Sequence, residues 1–253
     1  MNVLYVADTE TTGTDERIHD VIELSLLRLS DNAQKTFYIQ PVNWDTIEDA
    51  ALRVNGHKLE DLKRGFRLEE DGTRTLYLKP MAALVEIENF LMEDLVTAME
   101  RALVGHNIGF DKAFLLELWR RCGQAETYPF GRMYLDTMQI AFFLDYVNDS
   151  IRDGGYHLGG VVKAWEVKKE KAHRADADVR MTKDVFLKMV GAAKKMAGLT
   201  MADLVGTPAP AVKKTRTKKV VIEITTPHIP TEAEMFEALA DQQEVDDMTG
   251  KLS

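Results

Sequence analysis

The chain opens on an apolar run, Asn2–Asp8, punctuated by Thr12-Gly13, which predicts a buried strand. Val21–Leu29 and Lys35–Ile39 alternate apolar and polar positions around Asp31-Asn32, a pattern that predicts two antiparallel strands and a turn. Asp45–Val54 has helical spacing and meets a stop at Asn55-Gly56. Pro80–Glu100 predicts a longer helix, with Pro80 in its first turn and Leu84, Ile87, Leu91 and Leu95 on one face. Between them, residues 64–79 carry Asp71-Gly72 flanked by alternating runs, the pattern of a hairpin inserted on the domain surface. Leu103–Gly105 and Tyr134–Asp136 read as short strands. Asp111–Arg121, Met138–Tyr146, His157–Trp165 and Ala175–Ala197 read as helices. Strands first, then helices alternating with strands, predict a mixed α/β sandwich, and no repeat of solenoid or propeller period is present.

The pattern changes after Gly206. Residues 206–219 combine Gly-Thr-Pro-Ala-Pro-Ala with Lys213, Lys214, Arg216, Lys218 and Lys219, which reads as a basic linker. Residues 220–253 form a tail, expected to be partly disordered. Val220–Ile224 is a strand candidate, and Thr231-Glu-Ala-Glu234 is a capping box opening a short helix to about Asp241. The expected organisation is thus a domain over 1–200, a linker and a tail. With 253 residues, 45% of them hydrophobic, the chain can bury one sizeable core. The single cysteine, Cys122, excludes an internal disulfide and suits a reducing cytoplasm, with packing as its expected role. No apolar run approaches the roughly 20 residues of a membrane span, and Val3–Ala7 is too short for a signal peptide, so a cytoplasmic location is expected.

Charge sharpens the picture. The net charge is −9; residues 206–253 hold 6 basic and 8 acidic side chains, and the remainder holds 26 against 33. So acidic a domain is a poor grip for a duplex held along many phosphates, and better suited to a short single strand held at metal ions.

Three strings concentrate the acids: Asp8-Thr-Glu-Thr-Thr-Gly13, Gly105-His-Asn-Ile-Gly-Phe-Asp111 and His173-Arg-Ala-Asp-Ala-Asp178. Asp8 and Glu10 are two apart on a strand and point to one side. Asp111 shares a helical face with Phe114, Leu115 and Leu118, where a carboxylate is costly unless something compensates it. Ala175 and Asp178 fall on one helical face and Asp176 is rotated away, which favours Asp178 as the ligand. Each acid alone would ordinarily be a solvated surface residue or a helix cap. Together they form an oxygen-donor set of the kind magnesium and manganese prefer. His173, flanked by Lys168–Lys171 and Arg174, can accept and return a proton near neutrality.

In this order and spacing the strings resemble the DEDDh, or DnaQ-like, family of 3′→5′ exonucleases, a group that includes bacterial proofreading subunits. The resemblance covers about residues 1–197. It implies a ribonuclease H-like mixed sheet flanked by helices and two Mg²⁺ or Mn²⁺ ions held by Asp8, Glu10, Asp111 and Asp178, with His173 as general base. Asp8 would bridge the ions, Glu10 and Asp178 would serve the ion that activates water, and Asp111 would serve the second, partly through water. It also implies that Thr9, Thr11 and Thr12 line the pocket for the 3′-terminal nucleotide, that Asn107 and Phe110 stand near Asp111, and that His106 supports the site. Asp136-Thr137-Met138 and His157-Leu158 match the family's spacing too. One segment departs: where the family often has Val-His-Gly-Ile, this chain has Val54-Asn-Gly-His57, which puts any contact of the missing histidine in doubt.

The expected activity is release of nucleoside 5′-monophosphates from single-stranded DNA ends. RNA 3′-end trimming is a rival within the same chemistry, since sugar choice depends on the fit around the 2′-position. A reading of another class makes the nuclease fold a platform that docks through its tail, by the basic run and by Phe236 and Leu239, on a polymerase or other replication protein. Against it, all five catalytic positions hold functional residue types.

Overall fold

The computed structural model describes residues 3–69, 71–170 and 174–197. The strands are β1 (Val3–Thr11), β2 (Val21–Arg28), β3 (Gln34–Tyr38), β4 (Phe66–Leu68), β5 (Arg74–Leu76), β6 (Arg101–Gly105) and β7 (Tyr134–Asp136). The helices are α1 (Asp49–Asn55), α2 (Leu59–Arg64), α3 (Pro80–Met92), α4 (Ile108–Arg121), α5 (Thr137–Val147), α6 (Leu158–Ala164) and α7 (Ala175–Met196). Five strands make one mixed sheet in the order β3-β2-β1-β6-β7, with β1–β2 and β2–β3 antiparallel and β1–β6 and β6–β7 parallel. No helix among the described residues is long and apolar enough to cross a membrane.

The period-2 alternation of β1 sorts its side chains between two layers. Tyr5 and Ala7 face α3 and α4, in a core with Leu24, Leu26, Phe37, Leu84, Ile87, Phe114 and Trp119. Val6 faces the other way and packs with Leu27, Val104, Val179 and Phe186 of α7. Asp8 and Glu10 continue this second face beyond the apolar contacts. β2 is buried at every position, including its polar Glu23 and Ser25.

Three elements depart from the periodicity. The predicted helix 45–54 is a single 3-10 turn, Trp44–Thr46, followed by α1. Glu48 is held extended between them, because its N–H donates to Thr12 O at 2.9 Å, while Thr46 Oγ1 donates to Ile18 O at 2.7 Å. The helix predicted to run to Glu100 ends at Met92. Leu95 is in the left-handed region at φ 58° and 92% exposed, not on the buried face with Leu84, Ile87 and Leu91. The cause is Asp94, which accepts from Tyr5 Oη at 2.8 Å and from Arg101 Nε and Nη2, each at 2.7 Å, and so turns the chain into β6. Finally, the 64–79 segment forms the expected two-stranded hairpin, β4–β5, but is anchored more deeply than a surface insertion. Tyr77 is buried with Ile22, Leu52 and Leu62, the last supplied by α2, a helix too short for its periodicity to reveal. The expected strand and short helix of residues 220–253 lie outside the described residues.

The Asp94–Arg101 pair is almost fully removed from water, with side chains 3% and 8% exposed. Asp94→Ala leaves Arg101 buried without its partner and is expected to cost about 3 kcal/mol in urea unfolding, whereas Leu95→Ala should stay within about 0.5 kcal/mol.

Candidate active site

The site forms where β1 outlasts its apolar contacts. Asp8 and Glu10 lie on the α7 face of the strand, and the first turn of α7 lays buried Asp178 against them. One carboxylate oxygen from each of Asp8, Glu10 and Asp178 lies within 4.8 Å of the others. Asp176, one turn position away, is instead spent on Arg180 at 3.0 Å.

Asp111 reaches the site from the opposite layer. It stands in the first turn of α4, buried, and its Oδ1 accepts from Thr9 N at 2.8 Å and Thr9 Oγ1 at 2.7 Å. Those bonds tether it beside Asp8 and outside the three-carboxylate group. The turn that carries it is tightly packed: a Cβ on Gly105 would lie 2.4 Å from Ile108 Cδ1, so only glycine fits.

Gathering four acids at partly desolvated positions makes ionisation costly. Removal from water pushes the Asp8 carboxyl well above its usual range, and the charges of Asp111, Glu10 and Asp178 push it further. Burial and then Glu23 raise Glu10 to about 8. Burial raises Asp111 to about 7, against the hydrogen bonds from Thr9. An all-oxygen site that resists ionisation by protons alone is suited to a hard divalent cation, which would remove the repulsion.

The residues expected to bind the terminal nucleotide divide. Thr9, Thr11 and Phe110 line a cavity of about 330 Å³ together with Glu10, Val54 and Asn55. Thr12 and Asn107 do not line it. Thr12 is fully buried, its Oγ1 accepting from Asp20 N at 2.9 Å. Asn107 is the exposed, left-handed N-cap of α4, and its backbone N–H donates to Asp136 Oδ1 at 2.9 Å. Asp136 also caps α5 through Met138 N. His106 supports the same rim, with Nδ1 3.0 Å from Thr137 Oγ1 and Nε2 2.7 Å from Tyr156 O. His173 lies outside the described residues, immediately before Arg174 at the head of α7. Cys122 packs half-buried against the core.

Three residues near the site were not singled out as functional from the sequence. Asn55 stands where the family's histidine is expected. Its Nδ2 donates to Thr11 O at 3.1 Å, tying α1 to the end of β1. His57, two residues on, turns inward to Glu23, 2.9 Å away. The available signal was Glu23 itself, a charged residue in the largely apolar run Val21–Leu29.

No protein-family model matches the chain. Over 198 residues, 77% of its length, it is 28% identical to the DNA polymerase III PolC-type of Thermotoga petrophila, of which the match spans 12%. It is 26% identical over 204 residues to Ribonuclease T of Hahella chejuensis, covering 77% of this chain and 86% of that one. Among solved structures, E. coli Exonuclease I in complex with a dA16 oligonucleotide superposes with a TM-score of 0.59 at 16% identity, over 78% of this chain and 42% of that one. An Exonuclease I from Methylocaldum szegediense gives 0.59 at 19% identity, over 77% and 41%. The fold is therefore the ribonuclease H-like α/β class, a mixed five-stranded sheet between helices. The likeness to the PolC-type polymerase and to Ribonuclease T, along 77% of this chain, is what the functional reading below builds on.

A carboxyl whose folded pKa exceeds its unfolded value contributes stability that is complete below the unfolded value and lost as pH rises through the folded one. For Glu10 that window runs from about 4.3, the ordinary glutamate value, to about 8. In chelator, Glu10→Gln should therefore raise the melting temperature at pH 8 and leave it nearly unchanged at pH 4. An equal shift at both pH values would mean that Glu10 is not under this strain.

Proposed function

We propose that this chain is a 3′→5′ exonuclease of the DEDDh type that hydrolyses single-stranded DNA ends to nucleoside 5′-monophosphates with two divalent ions, Mg²⁺ or Mn²⁺. The observation that carries this reading is the meeting of Asp8, Glu10 and Asp178 within 4.8 Å, with Asp111 hydrogen-bonded to Thr9, which together with Glu10 lines a cavity of about 330 Å³. Asp8, Glu10 and Asp178 would hold one ion, and Asp8 and Asp111 the other. When bound, such ions supply positive charge against the phosphoryl oxygens and the leaving 3′-oxygen. Phe110 offers a ring face to the terminal base, and Thr9 and Thr11 border its sugar. His173, at the entry to α7, takes the proton of the attacking water on its imidazole and returns it to solvent. A cavity of about 330 Å³ beside Glu10 supports a reading in which a terminal nucleotide is held there and cleavage proceeds from an end.

The polymerase relatives and the oligonucleotide complexes of Exonuclease I support DNA as the substrate. The likeness to Ribonuclease T, along most of that protein's length, supports a second reading in which an RNA 3′ end is trimmed. A proofreading or repair role would use a polymerase or other replication partner, reached through the basic segment 206–219 and the tail beyond it.

With 5′-labelled single strands of DNA and RNA, Mg²⁺ or Mn²⁺ should give a shortening ladder and 5′-monophosphates. Chelator or a blocked 3′-hydroxyl should stop it. Cuts in a circular single strand would overturn the exonuclease reading. Asp8→Ala, Glu10→Ala, Asp111→Ala and Asp178→Ala should each abolish activity without unfolding the protein. His173→Ala should keep metal and oligomer binding while hydrolysis falls by roughly 10²–10⁴-fold, with a flattened acidic limb in its pH–rate profile; loss of metal binding instead would make His173 a ligand. Truncation after Leu204 should leave the rate on a short oligomer unchanged, and loss of that activity would place the tail inside the catalytic domain.

A further inference from the structure

Glu23 is a charged residue in a strand that is buried along its whole length. It stands opposite Glu10 in the β1–β2 register, so the two side chains leave the sheet on the same face as neighbours. On its other side, in the β2–β3 register, stands Tyr38. The Glu23 side chain is 0% exposed, as is that of His57, whose Nε2 lies 2.9 Å from Glu23 Oε2. Glu23 Oε1 has no hydrogen-bond partner among the described residues. His57 Nδ1 lies 2.7 Å from the Tyr77 hydroxyl, and the rings of Tyr38 and Tyr77 flank the imidazole at 6.3 and 5.7 Å. His57 thus bridges Glu23 and Tyr77 through its two ring nitrogens.

A buried pair of this kind adds little net stability over apolar residues of the same volume. Its placement gives it another use. We propose that Glu23, held by His57 and Tyr77, is a supporting carboxylate beside the cation site that strengthens cation binding through its charge without touching cation or substrate. The inference rests on the reading that Asp8, Glu10 and Asp178 hold a divalent ion. Adjacent strands lie about 5 Å apart, so a negative charge on Glu23 stands beside the cation site in a medium of low effective dielectric, where it changes the affinity for a divalent ion by about tenfold or more. Among the described residues no donor besides His57 engages that carboxylate. The hairpin segment thereby acts on the site: His57 follows α1, Tyr77 follows β5, and both converge on the strand beside the catalytic one.

The test uses the full chain and Mn²⁺ alone, titrated by calorimetry. Glu23→Gln keeps the shape and removes the charge; its Mn²⁺ dissociation constant should rise by about tenfold or more, with turnover at saturating Mn²⁺ unchanged. His57→Leu frees Glu23 to turn away from Glu10 and should weaken Mn²⁺ binding in the same direction. Adding Glu23→Gln to it should then have little further effect, the signature of residues acting through one another. Tyr77→Phe, which loses one hydroxyl only, should give a smaller rise and serves if His57→Leu fails to fold. Wild-type affinity in Glu23→Gln, or additive losses in the double variant, would overturn the inference. Wild-type protein that binds no Mn²⁺ would overturn the cation site itself and this inference with it.

Discussion

Four carboxylates converge at the C-terminal end of β1, and much of the surrounding structure holds them there against their mutual repulsion. Asp8 and Glu10 come from the strand, Asp178 from the first turn of α7 and Asp111 from the first turn of α4. Asp176, two residues before Asp178, is instead paired with Arg180. Burial and like charge hold Asp8 and Glu10 above the usual carboxylate range. A protein stores such strain where it is used, and here the stored term is one that a divalent cation relieves.

The apolar layers set the distances. α7 is anchored by Val179, Val185, Phe186 and Met189 against the sheet and against α5 and α6, so Asp178 is placed by packing well away from the charge it meets. α4 is anchored on the other layer by Phe114, Leu115 and Trp119, and the bonds from Thr9 to Asp111 stitch that layer to β1. β1 is the central strand of the sheet, so α4 and α7, packed on its two faces, can both present an acid to its C-terminal end. Asp136 and His106 brace the adjoining rim, by capping α4 and α5 and by holding the Tyr156 carbonyl.

Much of this was legible in the chain itself. An apolar run identified β1 and period-2 alternation identified β2 and β3, and the turn at Asn32, with φ 58°, falls where Asp31-Asn32 predicts it. The spacing of Asp8 and Glu10 put both on one face because alternation along a strand is a local property. Helical spacing likewise separated Asp178 from Asp176. The sequence misled where tertiary bonds override local propensity. Asp94 ended α3 because Arg101 and Tyr5 were waiting for it, and Glu48 broke a helical pattern because Thr12 O took its N–H.

What the sequence alone determined is the inventory and the faces: which acids exist, which layer each one joins, and which strings belong together. Those follow from periodicity and turn chemistry, which act over a few residues. What only the tertiary structure decided is which side chains meet. Asn55 fills the place expected for a histidine and reaches Thr11. His57 turns inward to a glutamate 34 positions away in sequence. Thr12 is spent on Asp20 and does not line the cavity beside Glu10. Each outcome depends on the distance between groups on different elements, a quantity fixed by how apolar faces pack and invisible to any local pattern.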